Sequence, residues 1–174
     1  MSKRGKPTAW LKVLGSVGHP VTNEWAVKEH GKHKRRLDQS VMFARRPSAE
    51  PGDRIVYYSV GVKRIFAEGK VTSVPYTDLL HEAFEGSDGR RYPHWVDVAI
   101  DVSVKFVKDG VPLSAISVDG RDLLRSVQRR GVLKLRPKEY EEAVRLLSLL
   151  PLNIELIHRR VGDGAHINPN ERPV

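Results

Sequence analysis

Aromatic and hydroxyl side chains occur together in the stretch RIVYYSV, where Tyr57 and Tyr58 are adjacent and Ser59 follows them. A nucleobase turned out of its helix is held by stacking on aromatic rings and by hydrogen bonds to its edge. Trp25 and Trp95 each follow a polar stretch and supply two further rings. These residues are candidates for the wall of a base-binding pocket. The alternative is that each ring packs in the core of a small domain.

Catalytic patterns are not found in the sequence. There is no cysteine, so thiolate nucleophiles and cysteine-ligated metals are excluded. His30 and His33 have a helical spacing but lie among lysines, which oppose a bound dication. Asp97 and Asp101 share one face of a predicted strand without a partner base. Phosphate-binding glycine loops and nucleophile elbows are missing too. We therefore predict no catalysis, no metal and no cofactor.

Positive charge is concentrated in the first quarter of the chain. The net charge is +9, and the segment from Lys3 to Arg46 holds eleven Lys or Arg against three acids. Such a surface suits phosphates, because binding releases condensed counterions. A merely solubilising surface is the alternative. The candidates for phosphate contacts are Lys34, Arg35, Arg36, Arg45 and Arg46.

Periodicity and turn signals place these residues on an α+β fold. Alternating apolar residues predict strands over residues 9–17, 54–60, 64–74 and 94–107. Three- and four-residue spacings predict helices over 22–32, 76–84, 120–130 and 136–150, with Pro137 in the first turn of the last one. This order favours a curved or barrel-like antiparallel sheet with flanking helices.

The stretch PGDRIVYYSVGVKRIFAEGKV resembles the central hairpin of EVE domains, which belong to the PUA-like superfamily with the YTH and ASCH domains. Four further segments resemble that family in the same order: AWLKVLGS, VPYTDLL, YPHWVDVAIDV with VPLSAI, and RRGVLKLRPKEYEEAVRLL. The resemblance spans residues 8–150, leaving 151–174 as a C-terminal extension with a loosely ordered tail. It implies a β-barrel of about five or six strands flanked by helices.

The resemblance also implies a reader of modified bases, most of all modified cytosine such as 5-methylcytosine in DNA, with RNA as the other ligand. Tyr58, Trp95 and Trp25 match the family's aromatic positions, and Ser16 matches a polar residue at the pocket edge. Ser59 stands one position earlier than the family's serine. Strict alternation puts it with Tyr57, so either a bulge re-aims these residues or one tyrosine alone faces the pocket.

Two other functions remain open at this stage. The ASCH relatives include RNA-binding and hydrolytic proteins, although the chain offers no catalytic set. A protein-interaction domain with a closed pocket is the third possibility. For a reader, we expect a nuclease or helicase of a modification-dependent restriction system as partner. We further expect a cytoplasmic protein, because the sequence shows no secretory signal and no apolar run of membrane-spanning length. A monomer is the default expectation.

Overall fold

A computed structural model describes residues 5–16, 18, 21–26, 29–30, 35–77, 84–85, 91–154 and 156. The strands in chain order are β1 Ala9–Leu14, β2 Glu29–His30, β3 Arg35–Arg36, β4 Ser40–Phe43, β5 Arg54–Ser59, β6 Arg64–Val71, β7 Tyr76–Thr77, β8 Phe84–Glu85, β9 Arg91–Tyr92, β10 His94–Ser103 and β11 Val132–Leu135. The helices are a 3-10 turn Val107–Asp109, α1 Leu113–Ile116, α2 Leu123–Arg129 and α3 Pro137–Ser148.

The main sheet has the order β11-β1-β5-β6-β10-β4, and β7 pairs beside β10. It curls into a half-barrel flanked by the three helices, which agrees with the expected α+β class. The remaining strands form two small hairpins, β2 with β3 and β8 with β9. The prediction of an antiparallel sheet is wrong at one pair, because β1 runs parallel to β5. The long connection between these strands gives the chain room for the crossover that parallel pairing needs.

The PGD turn and the β5–β6 hairpin form as predicted. Gly52 has a φ of 100°, which a residue without a Cβ adopts easily. The carboxylate of Asp53 then accepts hydrogen bonds from the backbone N–H of Thr8 at 2.8 Å and from the indole N–H of Trp10 at 3.2 Å. This one side chain therefore fixes the start of β1 beside the start of β5.

The last two predicted helices are confirmed as α2 and α3. Asp122 caps α2 by accepting the N–H of Arg125 at 2.9 Å. Pro137 occupies the first turn of α3, and the carboxylate of Glu139 accepts the N–H of Arg136 at 2.7 Å. Ala143 and Leu147 of α3 are fully buried, as expected for the apolar stripe of a helix that covers a sheet.

The helix predicted over residues 22–32 is wrong in the part of the chain that is described. Residues 23–26 form a turn, and β2 begins three residues later. The side-chain oxygen of Asn23 accepts the backbone N–H of Val107 at 2.9 Å, and Trp25 is buried. These tertiary contacts outweigh a modest helix propensity. In the helix predicted over 76–84, both described ends are strands, β7 and β8, and residues 78–83 lie outside the described part.

The first residues of the C-terminal extension contact the end of β10. The N–H of Lys105 donates to the carbonyl of Pro151 at 2.8 Å, and Val104 bridges to Leu152. The tail expected after Arg160 lies outside the described residues. None of the helices described here combines the length and the apolar character needed to cross a membrane.

Candidate base-binding site

The sheet has two faces, and the site is built on the one that lies inside the curl. Lys12 and Tyr57 are register partners in the β1–β5 pair, so both side chains leave the same face. The ammonium of Lys12 lies 5.0 Å from the ring centroid of Phe43 in β4, the opposite edge strand. A contact between such distant strands requires a curled sheet. We call this surface, with Lys12, Tyr57 and Phe43, the inner face.

Three aromatic rings meet on the inner face. The ring centroid of Trp25 lies 5.6 Å from that of Tyr57 and 5.1 Å from that of Phe66, edge-on to the latter. Tyr57 and Phe66 are stacked with their centroids 6.0 Å apart. We call Trp25, Tyr57 and Phe66 the inner aromatic cluster. Its geometry is favourable for aromatic contacts in general, so it stabilises the fold.

A β-bulge brings Phe66 into this cluster. Tyr57 pairs with Ala67 while Tyr58 pairs with Ile65, so Phe66 is the extra residue in β6. Because the irregularity lies in β6, β5 itself keeps its alternation. Tyr57 and Ser59 therefore share the inner face, and Tyr58 points to the other one. The structure therefore matches the alternative in which Tyr57 and Tyr58 lie on opposite faces of β5.

The inner aromatic cluster is closed in this structure. Trp25 is 2% exposed, and Tyr57 and Phe66 are fully buried. Burial raises the pKa of the Tyr57 hydroxyl far above its ordinary value, so this group stays protonated and donates to the carbonyl of Leu37 at 3.5 Å. Trp25 is carried by a turn, whereas Tyr57 and Phe66 lie on paired strands.

Lys12 is a functional candidate that the sequence reasoning missed. It is only 5% exposed, and its ammonium faces the rings of Phe43 at 5.0 Å and Tyr92 at 5.5 Å. Aromatic faces attract a cation, which favours this position despite the burial. An ammonium carries three donors and no acceptor, so it can donate to carbonyl oxygens, ring nitrogens or phosphate oxygens. The available signal was a lysine inside the apolar strand sequence AWLKVL.

The six residues predicted for the pocket are divided between the two faces. Trp25, Tyr57 and Ser59 belong to the inner face, where Ser59 is fully buried and its hydroxyl accepts the N–H of Val62 at 3.5 Å. Ser16 follows the end of β1 and is half-buried. Tyr58 and Trp95 alternate onto the outer face, and they are 2% and 7% exposed. A single pocket therefore does not include both tyrosines.

The residues predicted for phosphate contacts have different surroundings. Arg36 forms an ion pair with Asp38 at 3.1 Å. Arg46 donates to the carbonyl of Pro75 at 2.9 Å and to the hydroxyl of Thr77 at 3.4 Å. Arg45 is exposed. Lys34 and the side chain of Arg35 lie outside the described residues.

A polar network on the outer face attaches α3 to the sheet. The carboxylate of Glu68, 1% exposed, accepts from Arg54 at 2.6 Å and from the Tyr140 hydroxyl at 2.9 Å, and Arg54 also binds Asp101 at 2.6 Å. Burial raises the pKa of Glu68, and the charge of Arg54 opposes part of the rise. Burial, with the nearby charge of Glu68, raises the pKa of Tyr140 to about 12. Every side chain here has a partner, which is typical of a structural network.

Two solved structures share this fold. The NMR structure of Rpa0253 from Rhodopseudomonas palustris has a TM-score of 0.52 at 19% identity, covering 82% of this chain and 94% of that one. A hypothetical protein from Leishmania major has a TM-score of 0.52 at 13% identity, covering 82% and 96%. No protein-family model and no curated protein matches the chain. At these identities the likeness concerns the fold alone.

Among the described side chains, no group of three or more His, Asp or Glu is arranged to hold a metal.

Proposed function

We propose that the protein is a non-catalytic nucleic-acid-binding module of the PUA-like, EVE type that recognises a modified base, with modified cytosine in DNA as the first choice. The observation that carries this proposal is the gathering of Trp25, Tyr57 and Phe66 on the inner face, where Lys12 also lies. Rings and a small number of polar donors are the groups that hold a flipped base.

In this proposal each of these residues has a role. Tyr57 and Phe66 are fixed by two paired strands and form the floor. Trp25 moves from its present contact and closes over the bound base. Each stacked face contributes about 1–3 kcal/mol. Lys12 donates to the base edge, and cytosine offers it the O2 and N3 acceptors. The apolar surroundings of the rings accept a methyl group on the base.

The charge of the chain supports a nucleic-acid ligand. A net charge of +9 raises the local concentration of a polyanion and speeds its encounter with the protein. Arg45 is exposed and lies in the basic first quarter of the sequence, so it stays a candidate for a phosphate contact. Charge of this kind gives affinity without base preference, which has to come from the inner face.

Burial of the inner aromatic cluster favours a second candidate function. With Trp25 only 2% exposed, the rings are already packed as a core. A protein-interaction domain with a closed pocket has the same arrangement, and its partner would bind the helices or the apolar side chains exposed near the C-terminus. Leu149 is 71% exposed and Ile154 is 61% exposed.

Fluorescence of Trp25 separates the two functions. In the double variant Trp10→Phe/Trp95→Phe, Trp25 is the one remaining tryptophan. We expect its emission to shift when a single-stranded oligonucleotide with one 5-methylcytosine is added, because the indole exchanges tyrosine and phenylalanine contacts for a base. Unmodified oligonucleotide at equal occupancy, measured by anisotropy, serves as the control. An unchanged spectrum with bound 5-methylcytosine oligonucleotide would assign binding to the surface and favour the closed domain.

A further inference from the structure

A cleft rich in arginine lies at the edge of the sheet, between α2 and β11. It has a volume of about 250 Å³. Its lining consists of Arg121, Arg125, Ser126, Arg129, Arg130 and Leu133. Leu133 is buried and forms the apolar floor of the cleft, while three of the arginines are exposed at its rim. We call this feature the α2 arginine cleft.

One of the four arginines has a structural role. Arg121 donates to the buried carboxylate of Glu139 at 2.8 Å and to the carbonyl of Lys134 at 3.2 Å. Glu139 is fully buried, so this ion pair joins the segment before α2 to the first turn of α3. Arg121 is therefore already satisfied, and it forms one wall of the cleft.

The other three arginines have no acidic partner among the described residues. Within the described part of the chain, no carboxylate lies within ion-pair distance of the guanidinium of Arg125, Arg129 or Arg130. Arg125 and Arg129 are one turn apart on α2, where like charges repel each other. The helix dipole favours Arg129 in the last turn and Arg130 at the C-cap, but it opposes a cation at Arg125 in the first turn. A bound anion would relieve this repulsion.

The chemistry of the cleft selects phosphate. A guanidinium presents parallel N–H donors that match two oxygens of one phosphate, and it remains charged at any ordinary pH. Several guanidinium groups in one cleft suit successive phosphates of a chain better than a single small anion. Ser126 is not free for a ligand, since its hydroxyl donates to the carbonyl of Asp122 at 3.0 Å.

The position of the cleft also suits a nucleic-acid strand. The N–H of Val13 donates to the carbonyl of Gly131 at 3.0 Å, so Arg130 lies beside the last residues of β1. Leu14 is the register partner of Ser59, and the cleft is therefore at the same end of the sheet as the inner-face residue Ser59. The same strand β1 carries Lys12. Leu133 is the register partner of Leu11, the neighbour of Lys12, so the floor of the cleft lies on the outer face. A strand held in the cleft would therefore reach the proposed base site around this end of the sheet.

We infer that the α2 arginine cleft binds the phosphate backbone of a nucleic acid. The inference rests on the proposed function for the class of ligand, a nucleic acid, and is independent of base preference. The test is the variant Arg125→Gln/Arg129→Gln/Arg130→Gln. Its matched control is Lys70→Gln/Lys108→Gln/Lys138→Gln, which removes the same charge from exposed lysines elsewhere. The probe is a fluorescent, unmodified single-stranded DNA oligonucleotide.

Salt dependence of the dissociation constant gives the readout. Each phosphate contact to a single strand contributes about 0.7 to the logarithmic salt slope, so loss of three contacts lowers the slope by about 2. We expect this decrease in the arginine variant and a much smaller one in the lysine control. Equal decreases in both variants, or wild-type binding by the arginine variant, would overturn the inference. Thermal melting of both variants checks that they are folded, and since all six side chains are exposed we expect little change.

Two combinations of results distinguish a failure of this inference from a failure of the proposed function. If the arginine variant loses affinity while no protein form distinguishes 5-methylcytosine from cytosine, the cleft is supported and the base-reader proposal fails. If the base preference persists but the arginine variant binds as the wild type does, the cleft inference is wrong and the base-reader proposal still stands. Arginine-dependent binding to phosphatidylserine vesicles without binding to the oligonucleotide would also overturn it.

Discussion

The ammonium of Lys12 in β1 lies 5.0 Å from the centre of the Phe43 ring in β4, although β5, β6 and β10 separate these strands in the sheet. The contact joins the two sides of the curl and places a cation on the inner face. Lys12 is only 5% exposed, so the surrounding rings replace much of its water. A buried cation next to an aromatic cluster is the feature that most distinguishes this face from an ordinary core.

Replacement of Lys12 tests its role on the inner face. Lys12→Met keeps the length of the side chain and removes the charge. We expect the free energy of unfolding to change by no more than about 1 kcal/mol, because loss of the cation–ring attraction is offset by removal of a buried charge. Affinity for a 5-methylcytosine oligonucleotide should fall about 10- to 100-fold, the worth of one charged hydrogen bond.

Lys70→Met is the control for this substitution. Lys70 is exposed on β6, so its removal takes away the same charge without touching the inner face. Urea denaturation and fluorescence anisotropy measure the two quantities. Equal affinity losses in the two variants would mean that Lys12 contributes through overall charge, and its assigned role would be wrong.

The buried carboxyl of Glu68 predicts a pH dependence of stability. Its pKa is raised above 4.5, chiefly by burial, so the folded state holds the proton more strongly than the unfolded state. The stability contributed by this group is full below pH 4.5 and is lost as the pH rises through the folded-state value. Glu68→Gln keeps an acceptor for Arg54 and Tyr140 but does not titrate. We expect the stability of the wild type to decline relative to the variant between about pH 4 and pH 7.

Glu142→Gln provides a comparison in which the pH dependence of stability has the opposite sign. Its hydrogen bonds with Arg145 lower the pKa of the Glu142 carboxyl, so its contribution to stability is lost as the pH falls. Urea denaturation from about pH 2 to pH 7 measures both differences, with the change due to Glu142 below about pH 4.5. A flat difference between wild type and Glu68→Gln would show that Glu68 has the same pKa in the folded and unfolded states.

The close approach of β6 and β10 makes Gly69 sensitive to substitution. A Cβ at this position would lie 2.6 Å from the carbonyl oxygen of Ala99 and 2.9 Å from Cγ1 of Val98. We expect Gly69→Ala to lower the free energy of unfolding by about 1–3 kcal/mol, since backbone must shift. Gly131→Ala, where nothing lies within 4 Å of the added carbon, should change it by less than about 0.5 kcal/mol. Similar losses in both variants would exclude the steric cause.

Local signals in the sequence were sufficient where a segment determines its own structure. The alternation in β5, β6 and β10, the turn at Gly52 and the proline at the start of α3 are all formed as predicted. Each depends on neighbours within one element. Lys12 was missed, because both faces of the sheet are buried, one by helices and the other inside the curl, and its neighbours in β1 are mostly apolar.

The failures of prediction arise from contacts between residues that are distant in the sequence. Residues 23–26 look helical, but Asn23 bonds to Val107 and Trp25 packs on Tyr57 and Phe66, which holds them as a turn. The parallel pairing of β1 with β5 has no local signature. The division of the predicted pocket between two faces follows from strand register, which a single sequence does not reveal.

Base preference is the central claim, and direct binding tests it. The ligands are short single- and double-stranded DNA and RNA with cytosine, 5-methylcytosine, 5-hydroxymethylcytosine, adenine or N6-methyladenine at one position. The proteins are the wild type, Trp25→Ala on the inner face and Trp95→Phe on the outer face, each first shown to be folded. We predict a preference for one modified base, most of all 5-methylcytosine in DNA. It should weaken about 5- to 150-fold in Trp25→Ala and persist in Trp95→Phe. Equal, salt-sensitive binding of the wild type to every ligand would contradict the claim.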